Sequence, residues 1–111
     1  MGKAEREQGK VWERKVAALF REAMPGEQIK RGIQTREGDE AADVECPVFW
    51  VECKHRAQIS PQAALSQAQD AAPRGRMPLA VLKKNRNKPF VAMYLDDFLD
   101  LVSEWWDTRT S

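Results

Sequence analysis

Residues 42–55 read ADVECPVFWVECKH, with Asp43, Glu52 and Lys54 set at places where a core strand would carry more valine or isoleucine. Alternate residues of a strand share a face, so Glu52 and Lys54 point the same way, with Val48 and Trp50 ahead of them. Phe49, Val51 and Cys53 take the other face. Both faces are apolar as far as Val51, which predicts an interior strand whose C-terminal end emerges at an edge or cleft. Asp43 opens the preceding strand and can lie beside Glu52 if the two strands form a short hairpin. Two carboxylates and an ammonium would then converge at one end of a sheet. Two carboxylates, with substrate and water oxygens, suit Mg²⁺. A lysine nearby can position a water or neutralise charge on a phosphate, which is the equipment of phosphodiester hydrolysis. The ordinary alternatives are a strand-end salt bridge for Glu52 and Lys54, and a turn residue for Asp43.

Basic residues form three clusters: Lys30, Arg31 and Arg36; Lys54, His55 and Arg56; and Lys83, Lys84, Arg86 and Lys88. Each alone reads as a solvated loop. Alternating with the acidic stretch 36–45, they suit a phosphate-binding surface around a metal-binding centre.

The elements that must position these residues follow from periodicity. A helix is expected over 4–23, with Trp12, Val16, Leu19, Phe20 and Ala23 on one face, ended by Pro25-Gly26. A short strand over 27–34 and a loop over 35–42 follow. DVEC (43–46) and VFWVECK (48–54) form the hairpin around Pro47. Ser60-Pro61 starts a second helix that runs to about Ala72, because serine supplies the cap oxygen and proline suits the first helical position. Gln67 and Gln69 flank its apolar stripe, and periodicity does not separate them. Strands over 79–84 and 89–95 are joined by the turn NRNK. A final helix from Asp96 is expected to bury Phe98, Leu101, Val102 and Trp105. The order α-β-β-β-α-β-β-α predicts an α/β fold, one mixed sheet flanked by helices.

A chain of 111 residues, 42% hydrophobic and 32% charged, fits one globular domain over 1–111. No apolar run reaches the length of a membrane span, and MGKAEREQGK lacks the apolar core of a signal peptide, so the cytoplasm is the expected location. Cys46 and Cys53 are the only cysteines and His55 the only histidine. That excludes a Cys/His zinc site and leaves the cysteines as small buried residues. The net charge of +1 carries no argument for nucleic acid; only the distribution does.

Asp43, an eight-residue spacer and Glu52-Cys53-Lys54 resemble the motif of the PD-(D/E)xK nuclease superfamily, with Ala42 where a proline often stands. Short length, Gly9-x-x-x-Glu13 in the first helix and a glutamine-bearing helix after the motif strand are similar to the small Holliday junction resolvases of archaea and phages. The closing PFVAMYLDDFLDL also looks phage-like. The resemblance implies a restriction-endonuclease-like core in which Asp43 and Glu52 ligate Mg²⁺, or Mn²⁺ in its place. The Cys53 backbone carbonyl would be a further ligand and Glu13 an outer one. Lys54 would serve the attacking water, and Gln67 rather than Gln69 would contact the site. Gly9, one turn before Glu13, would leave room for a close approach. The implied partner is branched four-way DNA, cut at two strands by a homodimer. One helix face does not easily bury both Trp105 and Trp106, so the final helix, with the 89–95 strand, is a candidate for the dimer interface; the alternative is that Trp106 folds back onto its own domain. If the gene is a phage's, the protein would act in the host cytoplasm. Two further readings stay open: a nuclease of the same superfamily acting on duplex, flap or single-stranded DNA, and a non-catalytic nucleic-acid-binding protein.

Overall fold

The computed structural model describes residues 3–32 and 41–110. Arg36, the expected loop at 35–42 up to residue 40, and the end of the strand expected at 27–34 lie outside them. The described elements are α1 (Lys3–Ala23), β1 (Lys30–Arg31), β2 (Val44–Glu45), β3 (Phe49–Arg56), α2 (Pro61–Ala71), β4 (Met77–Lys84), β5 (Phe90–Ala92) and α3 (Leu95–Thr110). This is the expected order, and the strands form one mixed sheet, β1-β2-β3-β4-β5. Only β3 and β4 are parallel, joined by the crossover helix α2.

Period-two alternation in β3 sends its side chains to two different layers. Val51 and Cys53, with Leu79 and Val81 of β4, meet Trp12, Val16 and Ala17 of α1 in the main core. The buried Trp12 indole donates to the Val81 carbonyl at 3.3 Å, so its polar edge is satisfied. On the opposite face, Ala80 and Leu82 pack against Ala64 and Leu65 of α2. α2 starts as its sequence requires: Ser60 caps it by accepting the Ala63 N–H, and Pro61 follows.

Three details differ from expectation. Leu19 and Ala23 are exposed, because the buried stripe of α1 runs through Trp12, Val16 and Ala17. Val48 belongs to a tight turn and not to β3; its φ is 74°, and the Phe49 N–H reaches back to the Pro47 carbonyl. A β-branched residue is strained in that conformation. The third is α3, which has the expected helical period but buries none of its residues. Phe98, Val102 and Trp105, expected in the core, are exposed, and Leu101 is half-buried.

Cys46 and Cys53 are buried free thiols, as expected. Among the described residues, no helix is long and apolar enough to cross a membrane.

Candidate active site

The β2–β3 turn brings Asp43 back against the strand that carries Glu52. Val44 pairs with Val51, and the Asp43 N–H donates to the Val51 carbonyl at 2.8 Å. One step on, the Asp43 side chain takes over from the ladder: its Oδ2 accepts the Cys53 N–H at 2.8 Å. In a strand, the N–H and C=O of one residue face the same neighbour. The Cys53 carbonyl is therefore turned toward the Asp43 edge, away from β4.

Glu52 projects from the other face of β3, only 7% exposed, with its Oε1 3.1 Å from the Lys54 ammonium. Glu13 reaches in from α1 and accepts from the Arg31 guanidinium at 2.7 Å. Each glutamate thus has its own cation. Among the described residues Asp43 has none, only a backbone N–H. Burial pushes its carboxyl up to about 7, and the charges of Glu52 and Glu13 add to the shift; the Cys53 hydrogen bond and Lys54 oppose it. Electrostatically, Asp43, Glu52, Glu13 and Lys54 are one site.

Among the described residues that site holds three carboxylates, one buried and two half-buried, against the two cations Arg31 and Lys54, and its negative charge is all on oxygen. Such a donor set fits a hard divalent cation, which needs only one or two protein carboxylates because it keeps several waters. Asp43, Glu52 and the Cys53 carbonyl could hold the ion. Among the described residues no three His, Cys, Asp or Glu side chains already stand at ion-binding spacing. Glu13 and Glu52 are turned instead to Arg31 and Lys54.

Beside Lys54 lies a cleft of about 140 Å³ lined also by Arg56, Gln58, Ser60 and Gln67. Gln67 therefore faces the lysine side of the site, whereas Gln69 accepts from the Tyr94 hydroxyl at 2.9 Å, toward β5. The larger cleft, about 560 Å³, surrounds Glu45, Trp50 and Arg76 and includes none of the converging acids.

The basic residues divide between surfaces. Arg56 and Lys84 are neighbours in the β3–β4 register, on the α2 side. His55 and Lys83 are the next pair, on the α1 side, with the His55 ring edge-on to Trp12. Burial and then Lys83 hold the His55 pKa below its ordinary value, which leaves the ring uncharged at neutral pH. Lys84, Arg86 and Lys88 are exposed around the β4–β5 turn. Lys30 is exposed beside Glu45, and Arg31 is committed to Glu13. Nothing in the described chain comes within 4 Å of where a Cβ on Gly9 would sit, so the chain's own packing does not use that space.

Sequence reasoning missed three contributors. A Cβ on Gly32 would stand 1.7 Å from the Ala42 carbonyl oxygen, and the Gly32 N–H donates to the Asp43 carbonyl at 2.8 Å, so only glycine lets β1 lie against the Asp43 segment. A lone glycine inside a strand pattern was the available signal. Arg76 donates to the Cys46 carbonyl and anchors the β2–β3 turn. Gln8 donates to the His55 carbonyl at 2.9 Å, tying α1 to the end of β3. Neither of these long-range bonds has a local signature.

An α/β sheet that gathers a glutamate and a lysine from within its central strand, and an aspartate from the segment beside it, has the form of a PD-(D/E)xK nuclease. The chain belongs to the family described as "Phage putative PDDEXK endonuclease", whose model matches residues 4–110. Nucleases of this type generally use divalent metal ions, and an endonuclease implies a DNA partner. No curated protein and no solved structure gives a significant match to the chain.

Proposed function

We propose that the protein is a Mg²⁺-dependent DNA endonuclease, with Mn²⁺ able to replace Mg²⁺, and that its substrate is branched, four-way DNA cut by two copies of the chain. The observation that carries the reading is the half-buried Asp43 carboxyl, held on the Cys53 N–H within the electrostatic reach of Glu52, Glu13 and Lys54 and with no cation of its own among the described residues. A pure binding protein has no use for surplus carboxylates facing phosphates.

Asp43 and Glu52 would hold the metal with the Cys53 carbonyl, and Glu13 would act from the outer side. When bound, the ion would supply charge neutralisation at the phosphate and a water made more acidic. Lys54, kept in place by Glu52, would orient the attacking water and meet negative charge on the phosphate. Gln67 would hold the same water or a phosphate oxygen from across the cleft. Arg56 and the exposed Lys84, Arg86 and Lys88 would meet flanking phosphates, giving affinity without sequence preference. A single chain offers one such site, so paired cuts on opposing strands call for two copies. The absence of a long apolar helix among the described residues is consistent with action in the cytoplasm, a host's if the gene is a phage's.

The test offers the protein four-way junction, flap, single-stranded and linear duplex DNA in parallel, with Mg²⁺, with Mn²⁺ and with chelator. Metal-dependent paired nicks in the junction, exceeding those in linear duplex, are expected. Equal cutting of all substrates would remove the junction and leave a general nuclease. Binding without cutting under every condition would remove the catalytic reading.

A further inference from the structure

Trp50 belongs to the central strand β3 but to neither hydrophobic core. It is half-buried, and among the described residues its ring meets no other aromatic ring. Alternation along β3 sets it on the face of Glu52 and Lys54, two residues ahead of Glu52 and so about 7 Å away along the strand. Glu45 of β2 pairs with Trp50, and cross-strand partners share a face. The catalytic reading uses neither of them.

Among the described residues, both border the cleft of about 560 Å³, a volume within the ~300–1,000 Å³ of small-ligand sites. Its lining also brings the amide of Gln28 and the guanidinium of Arg76, both exposed, and the apolar ring of Pro73. Arg76 is anchored by donating to the Cys46 carbonyl, which occupies one of its five N–H groups. Glu45 is held only loosely, 3.8 Å from the Lys30 ammonium, with both side chains open to solvent.

We propose that this cleft holds one unpaired nucleobase of the DNA, stacked on Trp50, beside the phosphate that the site cuts. An aromatic face accepts any base, because every base has a π-face. The polar groups select a base over a second phosphate. A carboxylate repels phosphate, but accepts an N–H from a base edge, and an amide offers a donor and an acceptor. The N–H groups of Arg76 not spent on Cys46 suit the phosphate of the same nucleotide. Trp50 and Glu52 share one strand face, so the base belongs to the nucleotide next to the reacting phosphate.

A preference for DNA structure follows. A base inside an uninterrupted duplex must be unpaired and unstacked to reach Trp50, whereas a base at a branch point or in a single strand is already partly freed. The cleft therefore favours DNA whose pairing is interrupted, without reading its sequence.

The base pocket rests on the endonuclease reading for its DNA, and the test separates the two. Fluorescence anisotropy in chelator measures binding of the full chain to single strands about ten nucleotides long, either complete or abasic throughout. The complete strand should bind about tenfold more tightly than the abasic one. Trp50→Ala should reduce that ratio to about two or less, and Trp50→Phe, which keeps an aromatic face, should preserve most of it. Unchanged affinity of the alanine variant for the abasic strand shows that it is folded. Equal binding of the two strands by the wild type, no binding to either, or an undiminished ratio in Trp50→Ala would overturn the pocket. Nicking of junction DNA by the same preparations with Mg²⁺ reads the other claim. Cutting without base preference removes the pocket alone, and base preference without cutting removes the endonuclease alone.

Discussion

Replacing Asp43 with asparagine should stabilise the metal-free protein while disabling the site. Asparagine is nearly isosteric and keeps an oxygen to accept the Cys53 N–H, so the contact at 2.8 Å survives. What disappears is a half-buried charge held near Glu52 and Glu13. The Asp43 carboxyl stands at about 7 in the folded protein against 3.8 as a free side chain. A gap of some three pH units corresponds to an upper bound of about 4 kcal/mol at full ionisation. Solvent reaches the mouth of the site and screens part of this, so a gain of about 2 kcal/mol is expected, or roughly 5–10 °C in Tm.

The pH dependence has a definite sign. Well below pH 3.8 Asp43 is protonated in both folded and unfolded chains, and the two proteins should converge in stability. Between there and pH 7 the unfolded wild type ionises while the folded one holds its proton. Wild-type stability therefore falls as pH rises, and the Asn variant does not share that loss. Above pH 7 the difference levels off. Denaturant unfolding of both proteins at pH 4, 5, 6, 7 and 8 in chelator measures the divergence. Adding Mg²⁺ at pH 8 should close the gap by stabilising the wild type more than the variant. An Asn variant less stable than wild type at pH 8, or a difference independent of pH, would refute the surplus-charge argument and with it the electrostatic case for a metal.

Glu52→Gln and Lys54→Ala should each lower Mg²⁺-dependent cleavage about a hundredfold or more while junction binding persists, read by nicking and gel-shift assays on the same preparations. Changing Lys84, Arg86 and Lys88 together to alanine should reduce the salt slope of DNA binding by about 2–3 and weaken all sequences alike. Val48→Gly relieves a positive φ at a half-exposed turn and should raise stability by about 1 kcal/mol in urea unfolding. Gly32→Ala must displace the Ala42 carbonyl and should lower both Tm and cleavage, the latter because Asp43 moves with it.

The convergence of Asp43 with Glu52 and Lys54 was legible because every step is local: strand alternation sets the faces, and a short hairpin sets the neighbour. The start of α2 was legible for the same reason, in Ser60-Pro61. The pairing of Glu13 with Arg31 was not, since it joins α1 to β1 across 18 residues and has no signature in either segment. Val48 was misplaced because valine favours strands, and only Pro47 hinted that the ladder stops there.

α3 shows a deeper limit. Its apolar residues repeat as a buried helix face should, and a periodic pattern states that a face will be covered. It does not state by which chain. The usual inference supplies the chain's own core, and here that core is already complete: α1 fills one side of the sheet and α2 the other. Trp105 and Trp106 are then left over, and two tryptophans are a costly surplus to expose in a small domain. The same period that would argue for a core helix in an incomplete fold argues for a second copy in a completed one. The sheet decides between them, because α1 and α2 already cover its two faces and leave none for α3.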